Sequence, residues 1–291
     1  MTIEDAIRRA KQLGQARMES KEAASPARYR NDSRASADAG RSPARVAYDP
    51  AMPLAPLKTV EVSQVACEQN RVLLSDSQLR EFPAADAAYR LLRSRLQNRL
   101  NRNNWFSLAV ASPSQSDGKT LTTLNVAISI ARERQRPVFL LDVDMRNPSV
   151  CRFLGIQDIR PLPDYFRGDA KAEDVLAQTS VPNLIVAGAL AATDSPSELL
   201  AGPQFGDLLA QIRNQWPNAL VLVDMPPVSL TDEALLIGPR VDAILLVVSE
   251  GMTERKLVVQ ALATLSEFTL AGVVVNRSSD SHTVEYSRYT A

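Results

Sequence analysis

The sequence predicts an α/β protein: a predominantly parallel sheet with helices on both faces, preceded by a disordered N-terminal extension. Two observations carry the sheet. The runs Leu108–Ala111, Val138–Leu141, Leu184–Ala187, Ala219–Val223, Ala243–Val248 and Ala271–Val275 are apolar without alternation. Strands of that kind are buried on both faces, the condition of a parallel sheet. Between them apolar residues recur at helical spacing, as in Leu121, Leu124, Ile128 and Ala131, so strands alternate with helices. A third observation is the turn Ser112-Pro-Ser-Gln-Ser-Asp-Gly-Lys-Thr120, which joins the first of these strands to the first of these helices.

Composition bounds the problem. A chain of 291 residues accommodates one large α/β domain plus accessory segments. Equal numbers of basic and acidic residues, 33 each, offer no global reason to expect nucleic acid. Cys67 and Cys151 are far apart and form no motif, and the single histidine, His282, lies in a polar tail. Disulfide frameworks, zinc sites and serine triads are thereby excluded. There is no apolar run of membrane-spanning length and no signal-peptide pattern after Met1, so a cytoplasmic protein is expected, with any membrane association borrowed from a partner.

In chain order, Ile3, Ala6, Ile7, Ala10 and Leu13 make a narrow apolar stripe, predicting an amphipathic helix over residues 1–18. It could dock on this chain or on a partner. Residues 19–59 are rich in Ala, Ser, Arg and Asp, with prolines clustering late, and predict a disordered linker. The folded domain is expected over 60–277. Pro83 opens a helix of roughly Ala84 to Asn101 with the stripe Ala88, Leu92, Leu96 and Leu100, and its arginines lie off that stripe.

The turn at Gly118 has the context of a phosphate-binding loop, a buried strand before it and a helix after it. Amides at a helix N-terminus point at an anion, and the helix dipole favours negative charge there. Gly118 lets the backbone approach closely, Lys119 can reach the β- and γ-phosphates, and the Thr120 hydroxyl can ligate Mg²⁺. Pro113 stands where the first glycine of the usual pattern belongs. The next strand ends in Asp142-Val-Asp-Met-Arg146 and a later one in Asp224-Met-Pro-Pro227. Asp142, Asp144 and Asp224 at one sheet edge repel one another, and Mg²⁺ carried by a nucleoside triphosphate is the economical neutralising cation. This makes the fold a P-loop nucleoside triphosphatase. Beyond the aspartates, Asp164–Asp169 leads into a loop. Pro196 opens a helix carrying Leu199, Leu200, Phe205, Leu208, Leu209 and Ile212. The C-terminal strand ends bring Gly118, the three aspartates and Asn276 together.

Taken together, Ser-Asp-Gly-Lys-Thr120, Leu-Leu-Asp-Val-Asp-Met-Arg146 and Leu-Val-Asp-Met-Pro-Pro227 resemble the Walker A, A′ and B motifs of bacterial tyrosine kinases, the autokinases of capsule and exopolysaccharide assembly. Asp-Tyr-Phe-Arg-Gly168, Pro-Asn-Leu-Ile-Val186, Pro-Ser-Glu-Leu-Leu200 and Val-Val-Val-Asn276 extend the similarity over about Ala84 to Arg277. Ala-Tyr-Arg-Leu-Leu-Arg93 is similar to that family's oligomerisation helix, with Arg90 and Arg93 as its arginines. The resemblance implies a non-specific protein-tyrosine kinase that can also hydrolyse ATP, with ATP and Mg²⁺ as cofactors. Ser116, Asp117, Gly118, Lys119, Thr120, Leu121 and Asn276 would bind ATP, with Asn276 at the adenine. Thr120, Asp142 and Asp224 would organise Mg²⁺. Lys119, Asp142, Asp144 and Asp224 would be catalytic, Asp144 taking the tyrosine hydroxyl proton. Tyr286 and Tyr289, in a flexible tail over 278–291, would be the phosphoacceptors. A homo-oligomer is implied, held at the inner face of the plasma membrane by a membrane-embedded polysaccharide co-polymerase.

The sequence departs from the family at Ser116-Asp117, where Gly-Glu is usual, and at Ala87, an acidic position in the family. Two further readings therefore stand beside the kinase. A partition- or secretion-type ATPase switch would hydrolyse ATP without modifying protein, but such proteins carry a lysine early in the loop, which Pro113–Asp117 lacks. A catalytically weakened nucleotide-binding scaffold would follow from the altered loop.

Overall fold

The computed structural model describes residues 57–278. The predicted N-terminal helix, most of the linker and the tail with Tyr286 and Tyr289 lie outside the described residues.

The elements run as strand β1 (Lys58–Val60), helices α1 (Gln64–Gln69), α2 (Asp76–Glu81) and α3 (Pro83–Asn103), strand β2 (Ser107–Ala111), helix α4 (Lys119–Ala131) and strand β3 (Val138–Asp142). Short helices α5 (Val150–Leu154), α6 (Leu162–Arg167) and α7 (Ala172–Val175) lead to strands β4 (Ala177–Thr179) and β5 (Leu184–Ala187). Then come helices α8 (Pro196–Ala201) and α9 (Gln204–Gln215), strand β6 (Leu220–Asp224), helix α10 (Glu233–Ile237), strand β7 (Ala243–Ser249), helix α11 (Arg255–Thr264) and strand β8 (Leu270–Asn276).

These strands form one sheet in the order β1-β4-β5-β3-β6-β2-β7-β8. From β5 to β8 every pairing is parallel, as the apolar runs predict. Alternate residues of each strand feed two different cores. Phe139, Leu141, Val221 and Val223 join Phe205 and Ile212 on one face, whereas Val138, Leu140, Leu220 and Leu222 join Leu124 and Ile128 on the other. A strand whose two faces both meet a helical layer needs apolar side chains at every position, so its pattern cannot alternate.

Several local expectations are corrected. Lys58 and Thr59, expected in the linker, belong to β1, which pairs with β4. Strand β4 runs antiparallel to β5, and neither β1 nor β4 is long enough to show a period. The segment from Asp164, for which no helix was expected, lies in α6, which Pro161 precedes and Gly168, at φ +86°, ends. The helix expected from Pro196 to Ile212 is two helices, interrupted at Gly202-Pro203 because proline cannot continue the first. Strand β8 was expected to be fully buried; it lies at the sheet edge and Val275 is exposed.

Helix α3 starts with Pro83 at its first turn and ends at Asn104 in the left-handed region, φ 54°. Of its predicted stripe, Leu96 and Leu100 are buried and Leu92 packs beside them, but Ala88 is exposed. Its Arg93 is tied to the neighbouring helix. The guanidinium lies 2.9 Å from Glu133 without hydrogen-bond alignment, and Nη1 donates to the carbonyl and hydroxyl of Ser129 at 3.2 Å each.

Candidate active site

The turn between β2 and α4 is held by its own acid. Asp117 is buried; its Oδ2 accepts from the Ser114 amide at 2.9 Å and hydroxyl at 3.0 Å, and its Oδ1 accepts from Thr253 Oγ1 at 2.7 Å. Thr253 in turn accepts the Ser249 amide at 2.7 Å, so the loop is anchored to the end of β7. Asp117, one of the two residues at which the loop departs from the family pattern, supplies this anchor. Ser116 takes the left-handed conformation at φ 65°.

Gly118 is required twice over. Its φ is +93°, and a Cβ there would sit 2.1 Å from Asn276 Nδ2. Asn276 reaches across from the end of β8 to donate to the Asp117 carbonyl at 2.9 Å. The first intrahelical bond of α4 is Thr122 N–H to Gly118 O, at 2.9 Å. The amides of Lys119, Thr120 and Leu121 precede it, in the turn where helix geometry offers no acceptor.

The predicted carboxylates meet this loop. Strands β3 and β6 are in register, with Asp142 opposite Asp224. Lys119 Nζ lies 2.8 Å from Asp144 Oδ2 and 3.4 Å from Asp224 Oδ2. Thr120 Oγ1 donates to Asp224 Oδ2 at 2.6 Å. Asp142 is used differently. Its Oδ2 accepts the amides of Ser149 and Val150 at 2.8 and 2.9 Å, capping α5, and its Oδ1 accepts the Asp144 amide at 3.1 Å.

Electrostatics follow from this burial. Burial alone would push the Lys119 ammonium down, but Asp224 and Asp144 outweigh it and hold its pKa above the usual lysine value. Asp142 and Asp224 shift the other way from what one cationic neighbour would suggest. Burial raises both, and Asp224 adds to the rise at Asp142, against the pull of Lys119 and of the hydrogen bonds each accepts. Among the described residues, no three of His, Cys, Asp and Glu are gathered as a metal cage. The donor set suits Mg²⁺ all the same, since that ion commonly takes one or two protein oxygens and fills its shell with phosphate oxygens and water.

Outward from Asp144 lies a cavity of about 400 Å³, walled by Gln115, Pro226, Pro227, Leu230 and Thr231, with Arg146 and Asp232 beside Asp144. Arg146 Nε donates to Glu233 Oε1 at 2.9 Å, and its Nη2 lies 3.4 Å from Ser197 Oγ. Ser197 Oγ donates to Asp232 at 2.8 Å and lies 3.2 Å from Glu233 Oε1.

The structure thus gathers Ser116, Asp117, Gly118, Lys119, Thr120, Leu121, Asp142, Asp144, Asp224 and Asn276 at one sheet edge. Arg90 and Arg93 are elsewhere, on α3, and Arg90 pairs with Asp86 one turn back at 2.7 Å. Sequence reasoning missed Ser149, whose Oγ lies 3.3 Å from Thr120 Oγ1, and Thr253. It also missed Arg277, whose Nη2 donates to the Ser116 carbonyl at 3.0 Å. Of these, only Ser149 carried a local signal, as a cap-type residue opening a short helix after paired aspartates.

No family model matches the chain. Among characterised proteins it is similar to Tyrosine-protein kinase CpsD of Streptococcus agalactiae serotype Ia, with 27% identity over 214 residues. That match covers 72% of this chain and 90% of the relative. Among solved structures, the VpsO kinase domain is 26% identical with a TM-score of 0.61, covering 70% of this chain and 98% of that one. The kinase domain of the Escherichia coli tyrosine kinase ETK shares the fold at a TM-score of 0.63 and 23% identity, covering 78% of this chain and 92% of that one.

Proposed function

We propose that this chain, whose relatives in sequence and fold are bacterial tyrosine-protein kinases, is an ATP-dependent protein-tyrosine autokinase that regulates capsule or exopolysaccharide polymerisation and export. The observation that carries the proposal is buried Lys119 bridging Asp144 and Asp224, with Asp144 also lining the cavity. The lysine occupies the carboxylates that the chemistry needs. A triphosphate on the loop would draw Lys119 to its phosphates and free Asp144 toward the cavity.

Thr120 and Asp224, already in contact at 2.6 Å, would hold Mg²⁺, with Asp142 adding negative charge from behind. When bound, the ion supplies charge neutralisation on the phosphates. The amides of Lys119, Thr120 and Leu121 cradle the phosphates, while Asn276 fixes the loop beneath the adenine side. The acceptor phenol oxygen forms a bond to the γ-phosphorus as the bond from that phosphorus to the β,γ-bridging oxygen breaks and ADP leaves. Asp144 accepts the phenolic proton. Tyr286 and Tyr289 are the acceptors within this chain, and Arg90 and Arg93 would serve its self-association. No helix among the described residues is long and apolar enough to cross a membrane. Attachment at the inner face of the plasma membrane through a membrane-embedded polysaccharide co-polymerase completes the proposal.

The test is incubation of the full chain with labelled Mg·ATP and mapping of phosphotyrosine, in the parent, in Asp144→Asn and in Tyr286→Phe with Tyr289→Phe. Asp144→Asn should bind Mg·ATP and transfer roughly 10²–10⁴-fold more slowly, the usual loss on removing a general base. The double phenylalanine variant should lose its label. Release of inorganic phosphate with no phosphotyrosine in any variant would favour the ATPase-switch reading instead.

A further inference from the structure

Two stretches that resemble family motifs have no part in the chemistry above: the Arg146 that ends Asp-Val-Asp-Met-Arg, and Pro-Ser-Glu-Leu-Leu200. They meet at the cavity. Arg146 comes from the loop after β3, Ser197 from α8, and Asp232 and Glu233 from the start of α10. Glu233 is fully buried; its Oε1 takes Arg146 and Ser197, and its Oε2 is buried without a hydrogen-bond partner. A carboxyl group with one oxygen left unmet in the interior is costly, so its partner is held firmly. Arg146 is that partner, and half of its side chain stays exposed.

Among the described residues lining the cavity, Arg146 is the one cation, and Asp144 and Asp232 are carboxylates. Pro226, Pro227 and Leu230 form an apolar wall suited to the face of an aromatic ring. A phosphate placed on such a ring would meet two carboxylates and a single guanidinium, whose planar fork matches phosphate oxygens. We propose that Arg146, aimed by Glu233 and Ser197, binds the phosphoryl group on the acceptor, so that the cavity is a phosphotyrosine subsite. The assignment rests on the autokinase reading of the site, and it makes Glu233 and Ser197 positioning residues.

Binding of N-acetyl-phosphotyrosine amide and of N-acetyl-tyrosine amide to the full chain with Mg·ADP tests it, by titration in solution. Arg146→Gln alone would leave Glu233 buried without its cation, so the working variant is the neutral pair Arg146→Gln with Glu233→Gln, and Arg146→Lys is the second. Both should bind the phosphorylated amide roughly 10-fold or more weakly, the usual effect of losing a hydrogen bond to a charged group. Both should bind the unphosphorylated amide like the parent. Ser197→Ala should move in the same direction by less and still fold if the double variant does not. The proposal is overturned if Arg146→Lys and the double variant bind the phosphorylated amide as the parent does, or if both amides weaken equally. If the parent shows Arg146-dependent binding but never transfers phosphate to tyrosine, the autokinase reading fails and the subsite stands.

Discussion

Asp117 shows how one side chain sets the geometry of a whole loop. Its two oxygens take three donors, two from Ser114 within the turn and one from Thr253, 136 residues away. Without it the half-buried Ser114 amide and the buried Thr253 hydroxyl lose their acceptor, and an unmet buried donor carries the full cost of desolvation. Asp117→Ala should therefore lower stability by roughly 2–3 kcal/mol in urea unfolding and also weaken Mg·ATP binding, since the loop loses its anchor on β7. Asp117→Asn keeps one acceptor oxygen and should recover part of both. Loss of stability with nucleotide affinity intact would mean that the loop holds its shape without this tie. The turn encodes the acid and Ser114 together, but Thr253 is invisible in the motif because it lies beyond the turn, at the end of β7.

At the scale of elements, Arg90 and Arg93 of helix α3 have separate roles. Arg93 sits between α3 and α4, against Glu133 and Ser129, and is half-buried. Arg90 faces outward and holds Asp86 along its own helix. Exposed pairs of that kind contribute little, typically less than about 1 kcal/mol. Arg90→Glu should leave unfolding unchanged and shift the protein toward monomer in sedimentation if α3 forms contacts between copies. Arg93→Ala should lower unfolding stability by about 1 kcal/mol through its bonds to α4, whatever its effect on assembly. An unchanged sedimentation profile for Arg90→Glu returns that arginine to an ordinary solvated helix face. The spacing of Arg90 and Arg93 was legible in the sequence, but the partner of Arg93 was not. Glu133 lies beyond the phosphate-loop helix, and only the packing of α3 on α4 brings it near.

For the molecule as a whole, the buried carboxylates couple folding to pH. Burial first, then like charge, raises the pKa of Asp142, and burial raises that of Asp224. The folded chain therefore binds these protons more tightly than the unfolded chain. Their stabilising contribution is present at low pH and is lost as pH rises from the ordinary carboxylate range, about 4, upward through the folded values. Lys119, raised, contributes fully until pH exceeds its unfolded value of about 10.4, so it is constant over this window. In the absence of nucleotide and Mg²⁺, the melting temperature of Asp142→Asn minus that of the parent should thus increase with pH between roughly 4 and neutrality. A flat difference would show that Asp142 is no more easily protonated in the folded chain than in the unfolded one.

What the sequence determined by itself lies within short windows. The non-alternating strands, the helix after Gly118 and the aspartates at strand ends are each encoded in about ten contiguous residues, the range over which periodicity and turn chemistry act. That was enough to place the Gly118 turn and the strand-end aspartates together at the C-terminal ends of parallel strands. The tertiary structure decided which side chains meet. Lys119 settles between Asp144 and Asp224, Arg146 finds Glu233 across 87 residues of chain, and Asp142 gives one oxygen to the amides at the start of α5 and the other to the Asp144 amide. The antiparallel β4 and the exposed edge at β8 were settled in the same way. Pairings of this kind depend on how helices pack on the two faces of the sheet, a collective outcome of the buried surface that no local window contains.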